Sequence, residues 1–254
     1  MFGWDPETYE RFLKERTQPS IDLAAKIPLS EPKSIIDIGC GPGNSTRVLK
    51  EHFPNARVIG ADNSAEMVAK AREGGGEYIQ LDASRELGTL GEKFDVVFSN
   101  ACIQWVPDHP ALLRNMMNLL NEGGVLAVQT PMNYEEPIHQ IIGRLVQSEK
   151  WRGKFDSPRI FYNLKPSEYF DILAEIAIDF TMWHTIYCHR MPSHDSIIDW
   201  YKGTGLRPYL AALSETDAAE FEAEVYGEVM KEYPVQKNGE IIFRFPRFFF
   251  IATK

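Results

Sequence analysis

The sequence predicts an α/β fold in which a mostly parallel sheet is covered on both faces by helices. Two observations support this. Short apolar runs alternate with helical patterns through the first half of the 254-residue chain. Each run is almost continuously apolar, which is typical of strands that are buried on both faces.

The first half contains five predicted strands, at residues 34–38, 57–61, 78–81, 94–100 and 125–130. Helices are predicted between them. One ends near His52, one is capped by Asn63 with Glu66 as its capping-box partner, and one covers 110–120, stopped by the residues at 121–124.

The second half departs from this regular alternation. Helices are predicted at 137–150, 167–176, 193–201 and 215–233, a sixth strand at 178–188 and a last strand near 248–253. We predict a single domain over 1–254. Its sheet core covers about 33–130, 167–188 and 246–254, with an N-terminal lid at 1–27 and cap insertions at 131–166 and 189–245.

Composition narrows the classes of function. The 27 basic and 36 acidic residues give a net charge of −9, so no nucleic-acid partner is expected. The longest apolar run, 248–252, is too short to cross a bilayer, and the N-terminus lacks the pattern of a signal peptide. We expect a cytoplasmic protein with no membrane partner.

Neither the cysteines nor the histidines predict a metal site. The three cysteines form no paired motif, and Cys102 is expected to be an inert buried thiol. His184, His189 and His194 recur every five residues, which suits neither one helix face nor one strand face for metal ligation. Glu136 is expected to be a solvated loop charge.

The most specific local feature is a glycine-rich turn, Asp-Ile-Gly-Cys-Gly-Pro-Gly-Asn at 37–44, between the first strand and its helix. Glycines there permit a tight turn and a close approach of the backbone to a ligand. Asp62 ends the second strand, where a carboxylate can accept hydrogen bonds from ribose hydroxyls. Asp82 and Asn100 end the next two strands, so one ligand crevice is expected at this edge of the sheet.

The sequence of the turn distinguishes between the known nucleotide-binding motifs. The dinucleotide fingerprint needs a third glycine where Asn44 stands, and the phosphate loop of nucleotide triphosphatases is absent. The acid-x-Gly-x-Gly-x-Gly pattern, followed by acids that end strands two and three, resembles the class I methyltransferases. The resemblance implies a Rossmann-like, seven-stranded sheet with an antiparallel last strand, and S-adenosylmethionine as cofactor with S-adenosylhomocysteine as product. NAD is the alternative cofactor.

The resemblance also implies where the cofactor binds. In that family the glycine turn adjoins the amino-acid end of the cofactor, the strand-two acid holds the ribose and the strand-three acid faces the adenine. The N-terminal lid is expected to contact the cofactor carboxylate, although its residues could instead form an ordinary apolar stripe with a solvated arginine. The expected cofactor-binding residues are Tyr9, Arg16, Asp37, Gly39, Gly41, Asn44, Asp62, Asn63, Met67, Asp82, Ala83 and Asn100.

Basic residues in the last third of the chain indicate an anionic substrate. If strand six is parallel and the last strand antiparallel, His189 and the stretch 244–247, placed before the last strand, lie at the ligand edge, and the segment 191–245 covers the site. His189, Arg207, Arg244 and Arg247 would then converge above the methyl donor and bind the substrate through bidentate contacts. Isolated surface arginines are the alternative.

Nearly the whole chain resembles the trans-aconitate methyltransferase family. The stretches that carry this resemblance are 4–16, 37–45, 100–109, 124–129, 191–194, 198–200, 203–210 and 245–247. The most specific of them is Gly-Thr-Gly-Leu-Arg-Pro-Tyr-Leu at 203–210. The chain departs from the family pattern at Gln18, Met132 and Ile138, where we expect an arginine, an acid and a threonine.

This resemblance implies a monomeric O-methyltransferase that forms a monomethyl ester on a carboxylate of a small polycarboxylic acid, with trans-aconitate as the expected acceptor. It also implies that Gln104 and Trp105 line the acceptor side. A carboxylate is already ionised at pH 7, so no general base and no catalytic residue is expected.

Two alternatives stay open. Another small-molecule acceptor, such as a hydroxyl or an amine, would need a base, for which His189 or His184 is the candidate. A non-catalytic S-adenosylmethionine-binding protein is the second. An adenine-N6 methyltransferase is excluded, because residues 100–103 read Asn-Ala-Cys-Ile instead of Asp/Asn-Pro-Pro-Tyr/Phe.

Overall fold

A computed structural model describes residues 13–155 and 161–254. The helices are α1 (Leu13–Ala24), α2 (Asn44–His52), α3 (Ala65–Glu73), α4 (His109–Asn118), α5 (Pro137–Val146), α6 (Pro166–Ile176), α7 (His194–Lys202), α8 (Arg207–Ala212) and α9 (Glu215–Glu232). The strands are β1 (Ser34–Ile38), β2 (Arg57–Asp62), β3 (Glu77–Gln80), β4 (Phe94–Asn100), β5 (Leu120–Pro131), β6 (Asp179–Met191) and β7 (Ile241–Thr253).

Within the described residues, the strands form one seven-stranded sheet in the order β3-β2-β1-β4-β5-β7-β6. The pairs β1-β2, β1-β4, β2-β3 and β4-β5 are parallel, and β7 runs antiparallel to β5. The predicted sheet with an antiparallel last strand is confirmed. The strand order reverses between β1 and β4, and ligands of open α/β sheets bind outside the carboxyl ends of strands at such a reversal.

The described residues divide into two compact units. The sheet unit comprises Thr17–Pro131, Phe161–Thr185 and Arg247–Lys254. The helical unit comprises the described residues of Met1–Arg16, Met132–Ile160 and Ile186–Pro246. That both belong to one methyltransferase domain stays a prediction.

A buried polar contact ties the loop after β4 to two helices of the sheet unit. His109 Nε2 donates to the Ile103 carbonyl at 2.8 Å, and the Tyr169 hydroxyl lies 2.7 Å from His109 Nδ1. Burial lowers the pKa of His109, so a neutral ring with Nδ1 as acceptor satisfies both contacts. Tyr169 also packs on Phe248 and Phe250 of β7.

The helical unit has a core of its own. Helix α9 packs against α5, α7 and α8. The buried side chains between them include Trp151, Trp200, Phe221 and Phe243. A lysine pair, Lys150 and Lys154, joins the end of this core to acids of α9.

Several predicted bounds are wrong. Helix α4 ends at Asn118, so the glycine stretch at 121–124 lies inside β5 instead of stopping the helix. Strand β7 begins at Ile241. Ile241, Phe243 and Phe245 are buried while Ile242 and Arg244 between them are exposed, which is the alternation of a half-buried strand. Helix α5 ends at Val146, four residues before its predicted end.

The predicted cap of α3 is also wrong. Ser64, not Asn63, is the N-cap, and its hydroxyl accepts from the backbone N–H of Met67 at 3.3 Å. A serine with extended backbone conformation directly before the first helical residue is a favoured N-cap.

None of the helices described is long and apolar enough to cross a membrane.

Candidate active site

The glycine turn after β1 requires glycine for two different reasons. Gly39, Gly41 and Gly43 have φ values of 76°, 53° and 87°, in the left-handed region that favours glycine. A Cβ at Gly39 would overlap the side chain of Cys102, and one at Gly43 would lie 2.7 Å from the Tyr78 hydroxyl. A Cβ at Gly41 would meet no protein atom within 4 Å, so the turn is open at that residue.

Asp62 holds the turn in place from the end of β2. Its Oδ2 accepts from the backbone N–H of Gly41 at 2.9 Å, and its Oδ1 accepts from that of Ser64 at 2.9 Å. A carboxylate has about four lone-pair positions, so acceptor capacity is left for a ligand hydroxyl. The carboxyl end of β2 therefore organises both the turn and the start of α3.

Asp37 is fully buried in β1, two residues before Gly39. Its Oδ2 accepts from the hydroxyls of Ser45 at 2.6 Å and Thr46 at 2.7 Å, while its Oδ1 has no hydrogen-bond partner. Burial raises the pKa of Asp37 to about 6, with repulsion from Asp62 adding to the rise and the two hydroxyls opposing it. With this pKa the carboxyl is mostly ionised at neutral pH, and a cation near Oδ1 would stabilise the ionised form further.

The raised pKa of Asp37 predicts a pH-dependent stability. Below about pH 3 the folded and unfolded states both hold this proton. As the pH rises toward 6 only the unfolded state releases it, because its pKa stays near the ordinary value of 3.8. The free energy of unfolding should therefore fall by on the order of 3 kcal/mol between pH 4 and 7, relative to Asp37→Asn.

Urea unfolding of both proteins at pH 4.5 and 7.5 measures this difference. The exposed Asp171, replaced by Asn, is the matched control and should show no such trend. A gap between wild type and Asp37→Asn that is equal at the two pH values would contradict the prediction.

The remaining predicted cofactor residues of the sheet unit lie near the ends of β1, β2 and β3. Asp82 Oδ1 accepts from the Ser84 hydroxyl at 2.6 Å and from its backbone N–H at 2.9 Å, and these bonds lower the pKa of Asp82. Asn44 is the first residue of α2 and accepts from Arg47. Asn63 is exposed, and Met67 and Ala83 are partly exposed.

The loop after β4 begins with an unsatisfied amide and a strained backbone. Asn100 Oδ1 is buried with no hydrogen-bond partner. Ala101, the next residue, has φ 55°, which is uncommon for a residue with a Cβ. Cys102 is partly exposed and not buried as expected, and desolvation raises the pKa of its thiol to about 12, so the thiol stays protonated at neutral pH. That this thiol is inert stays a prediction.

The two predicted acceptor residues in this loop differ in their surroundings. Gln104 is buried; its Nε2 donates to the Ala101 carbonyl at 2.6 Å, and the Thr130 hydroxyl lies 3.2 Å from its Oε1. Trp105 is 40% exposed and packs its ring on Phe161 with the centroids 4.8 Å apart. The ring of Trp105 is therefore accessible to a ligand, whereas the side chain of Gln104 is engaged in hydrogen bonds that hold the loop.

In the helical unit, Arg16 and His189 meet at the same aromatic side chain. The guanidinium of Arg16 lies 5.2 Å from the centre of the Trp200 ring and donates to the Trp200 carbonyl at 3.4 Å. The His189 ring lies 5.0 Å from Trp200. Tyr9, the other predicted lid residue, lies outside the described residues.

The predicted arginines have three different surroundings. Arg207 begins α8 and is exposed. Arg244 of the helical unit lies inside β7, not before it as predicted, 3.7 Å from Glu136. Arg247 of the sheet unit also lies inside β7, opposite Pro131 of β5, and is only 7% exposed.

Glu136 is not the solvated charge that the sequence indicated. It is 9% exposed, and burial raises its pKa while Arg244 lowers it. An acid beside a proposed anion-binding arginine weakens the local positive potential, so Glu136 opposes binding of a carboxylate at Arg244.

Sequence reasoning missed one residue of the sheet unit, Gln129. It lies in β5 and is completely buried, and neither its Nε2 nor its Oε1 has a hydrogen-bond partner. The only signal in the sequence is an amide that interrupts the apolar run Val-Leu-Ala-Val before Thr130.

Known proteins resemble the chain over its full length. Residues 9–207 match the family model described as a methyltransferase domain. The chain is 40% identical to the trans-aconitate 2-methyltransferase of Rhodopseudomonas palustris strain BisB18, over 258 aligned residues that cover 100% of both proteins. It is 38% identical to the enzyme of that name from Escherichia coli O7:K1 strain IAI39, covering 100% of this chain and 99% of that one. The chain belongs to the trans-aconitate methyltransferase family.

Solved structures show the same fold for this trans-aconitate methyltransferase family member. The YcgJ protein of Bacillus subtilis superposes with a TM-score of 0.59 at 16% identity, covering 93% of this chain and 98% of that one. A Haemonchus contortus phosphoethanolamine N-methyltransferase, in complex with phosphomonomethylethanolamine and S-adenosylhomocysteine, has a TM-score of 0.56 at 17% identity. That match covers 93% of this chain and 52% of the other. The predicted class I methyltransferase fold is confirmed.

The residues present fit the cofactor of this family. S-adenosylmethionine has an α-ammonium that only donates hydrogen bonds, and Asp37 Oδ1 and Asn100 Oδ1 are buried acceptors without a partner. The cofactor also has ribose hydroxyls, for which Asp62 retains acceptor capacity, and the turn is open at Gly41.

Proposed function

We propose that this protein transfers a methyl group from S-adenosylmethionine to a carboxylate of a small polycarboxylic acid, with trans-aconitate as the acceptor, forming a monomethyl ester. The observation that carries this proposal is the full-length similarity, at 38–40% identity, to trans-aconitate 2-methyltransferases. The glycine turn with acids at the ends of β2 and β3 supports the choice of cofactor.

The sheet unit would hold the cofactor. Asp62 would accept from the ribose hydroxyls, Asp82 would serve the adenine, and Asp37 and Asn100 would accept from the ammonium. The bound cofactor supplies a methyl group on a positively charged sulfur. Asn44, Asn63, Met67 and Ala83 complete the proposed contacts, and from the helical unit Arg16 is proposed to reach the cofactor carboxylate.

The acceptor would need orientation and removal of water, not a base. A carboxylate with a pKa near 4 is already a nucleophile at neutral pH. Its negative charge and the positive sulfur neutralise each other as the methyl group moves, so a dry site favours the transfer. His189, Arg207 and Arg247 are proposed to bind the carboxylates that do not react, because a tight ion pair to the attacking oxygen would stabilise the ground state.

We also propose that the protein works in the cytoplasm as a monomer, with both compact units in one methyltransferase domain. No nucleic acid or membrane is proposed as a partner, and the net charge of −9 supports the first of these statements.

The deciding experiment supplies labelled S-adenosylmethionine and a panel of acids, amines and phenols. Label should appear in an alkali-labile ester of trans-aconitate, less in other tricarboxylates, and not in amines. Transfer only to amines or phenols would refute the carboxylate reading, and cofactor binding with no transfer to any acceptor would indicate a non-catalytic protein.

Replacing Asp62 by alanine should weaken cofactor binding. The change removes the proposed ribose acceptor and leaves the N–H groups of Gly41 and Ser64 without their partner. The affinity for S-adenosylhomocysteine should fall by about 1–3 kcal/mol, measured by calorimetry. The exposed acid Asp171, changed to alanine, is the control, and an unaltered affinity in Asp62→Ala would refute the assignment of this crevice.

The pH dependence of the rate distinguishes a carboxylate acceptor from others. With both substrates saturating, kcat should be flat from pH 6 to 8, because the acceptor needs no deprotonation by the enzyme. A rate that climbs about tenfold per pH unit across that range would instead indicate a general base and a hydroxyl or amine acceptor.

A further inference from the structure

Three neighbouring strands of the sheet unit present unsatisfied polar atoms on the same face. Asp37 of β1 is in register with Phe98 of β4, and Asn100 of β4 is in register with Gln129 of β5. Partners in a parallel pair lie on the same face, and so do residues two apart in one strand. Asp37, Asn100 and Gln129 therefore form a staggered row on one face of β1, β4 and β5, in which Asn100 and Gln129 are level and Asp37 lies two residues lower.

The hydrogen-bonding capacity of the row changes at Gln129 from acceptors alone to acceptor and donors. Asp37 Oδ1 and Asn100 Oδ1 are acceptors without a partner, whereas Gln129 adds two unpartnered N–H groups on Nε2. On the other side of Gln129 its partner in β7 is Phe249, which stacks on Trp183 with the ring centroids 5.0 Å apart. At the level of Gln129, β7 therefore contributes an aromatic ring, and Arg247, two residues before Phe249, lies on the same face opposite Pro131.

Leaving a buried amide unsatisfied is unfavourable, and native proteins rarely do so without a functional reason. Adjacent strands lie about 4.8 Å apart, so one small group can reach both Asn100 and Gln129. That group must offer donors toward Asp37 and Asn100 and an acceptor toward Gln129 Nε2. An α-amino acid has this polarity, because its ammonium and carboxylate are attached to the same carbon.

We propose that Gln129 binds the α-carboxylate of the cofactor through its Nε2 donors, while Asp37 and Asn100 accept from the α-ammonium. This inference rests on the proposed cofactor, not on the proposed acceptor. Gln129 thereby becomes a ligand-binding residue of a strand that lies two places from the glycine turn.

The test compares two ligands that differ only in the group that Gln129 would bind. S-adenosylhomocysteine carries the amino-acid end, and 5′-methylthioadenosine lacks it. Gln129→Met keeps the length of the side chain and removes the amide. Its dissociation constant for S-adenosylhomocysteine should rise about tenfold or more, while that for 5′-methylthioadenosine should stay within twofold of wild type.

Thermal unfolding without ligand separates binding from a structural role. Because the amide has no protein partner, Gln129→Met should melt at the same temperature as wild type or higher. Gln129→Glu, a close isostere, should bind S-adenosylhomocysteine more weakly than Gln129→Met does, because it sets one carboxylate against another. Gln147→Met, at an exposed glutamine, is the matched control and should change neither affinity nor melting.

Two results would overturn the proposal. A lower melting temperature in Gln129→Met with equal losses for both ligands would make Gln129 structural. Unchanged affinity for S-adenosylhomocysteine, with a tenfold higher KM for trans-aconitate, would show that the carboxylate it binds belongs to the acceptor. Since the calorimetry needs no methyl transfer, failure of the proposed acceptor would leave this test intact.

Discussion

Replacing Arg247 by alanine is expected to raise the KM for trans-aconitate ten- to a hundredfold. Arg247 is 7% exposed, so its guanidinium is shielded from the solvent that weakens surface ion pairs. Loss of a charge-assisted, bidentate contact with a carboxylate corresponds to about 1.5–3 kcal/mol. The dissociation constant for S-adenosylhomocysteine should barely change.

Lysine at this position should restore only part of the loss, because a point charge cannot form the bidentate contact. The KM of a tricarboxylate should rise more than that of a monocarboxylate, since only the tricarboxylate has non-reacting carboxylates that Arg247 could bind. The control is Arg114→Ala, an exposed arginine of the same unit that pairs with Glu175. If the KM values of both acids rise equally, or if only the affinity for the cofactor falls, Arg247 is structural.

Arg207→Ala is expected to act in the same direction with a smaller effect. Arg207 is exposed at the start of α8, where solvent screens its charge. The same pair of measurements applies, and an unchanged KM would remove this arginine from the proposed acceptor contacts.

The second large effect concerns Gly39 and Gly41, where substitutions should impair different properties: stability at Gly39 and cofactor binding at Gly41. Gly39→Ala places a Cβ on the Cys102 side chain at φ 76°, so the free energy of unfolding should fall by about 2–5 kcal/mol. Gly41→Asn meets no protein atom near its Cβ, and asparagine tolerates a φ of 53°. This variant should keep most of its stability and lose cofactor affinity, and Gly41→Val should also obstruct the ligand.

Urea unfolding and calorimetry with S-adenosylhomocysteine, run on both variants, separate the two effects. The double variant Gly39→Ala with Cys102→Gly removes the overlapping side chain and should recover part of the lost stability. Equal loss of stability in Gly39→Ala and Gly41→Asn, or full cofactor affinity in Gly41→Asn, would contradict this division.

Local patterns were enough to predict the framework of the sheet. The strands Ser34–Ile38 and Phe94–Asn100 have the bounds that their apolar runs indicated. The positive φ values of Gly39, Gly41 and Gly43 are also a local property, because glycine adopts them at the least cost. The fold class and the glycine turn could therefore be derived from the sequence, and the cofactor was inferred from the resemblance to the family.

The polar residue types at the carboxyl ends of the strands can be read directly from the sequence. Which of these polar groups have hydrogen-bond partners depends on how the chain packs. The pKa of Asp37, the burial of Glu136 beside Arg244 and the row that ends at Gln129 depend on residues far apart in the chain. Desolvation and missing hydrogen-bond partners are properties of the packed neighbourhood, and no local pattern encodes them.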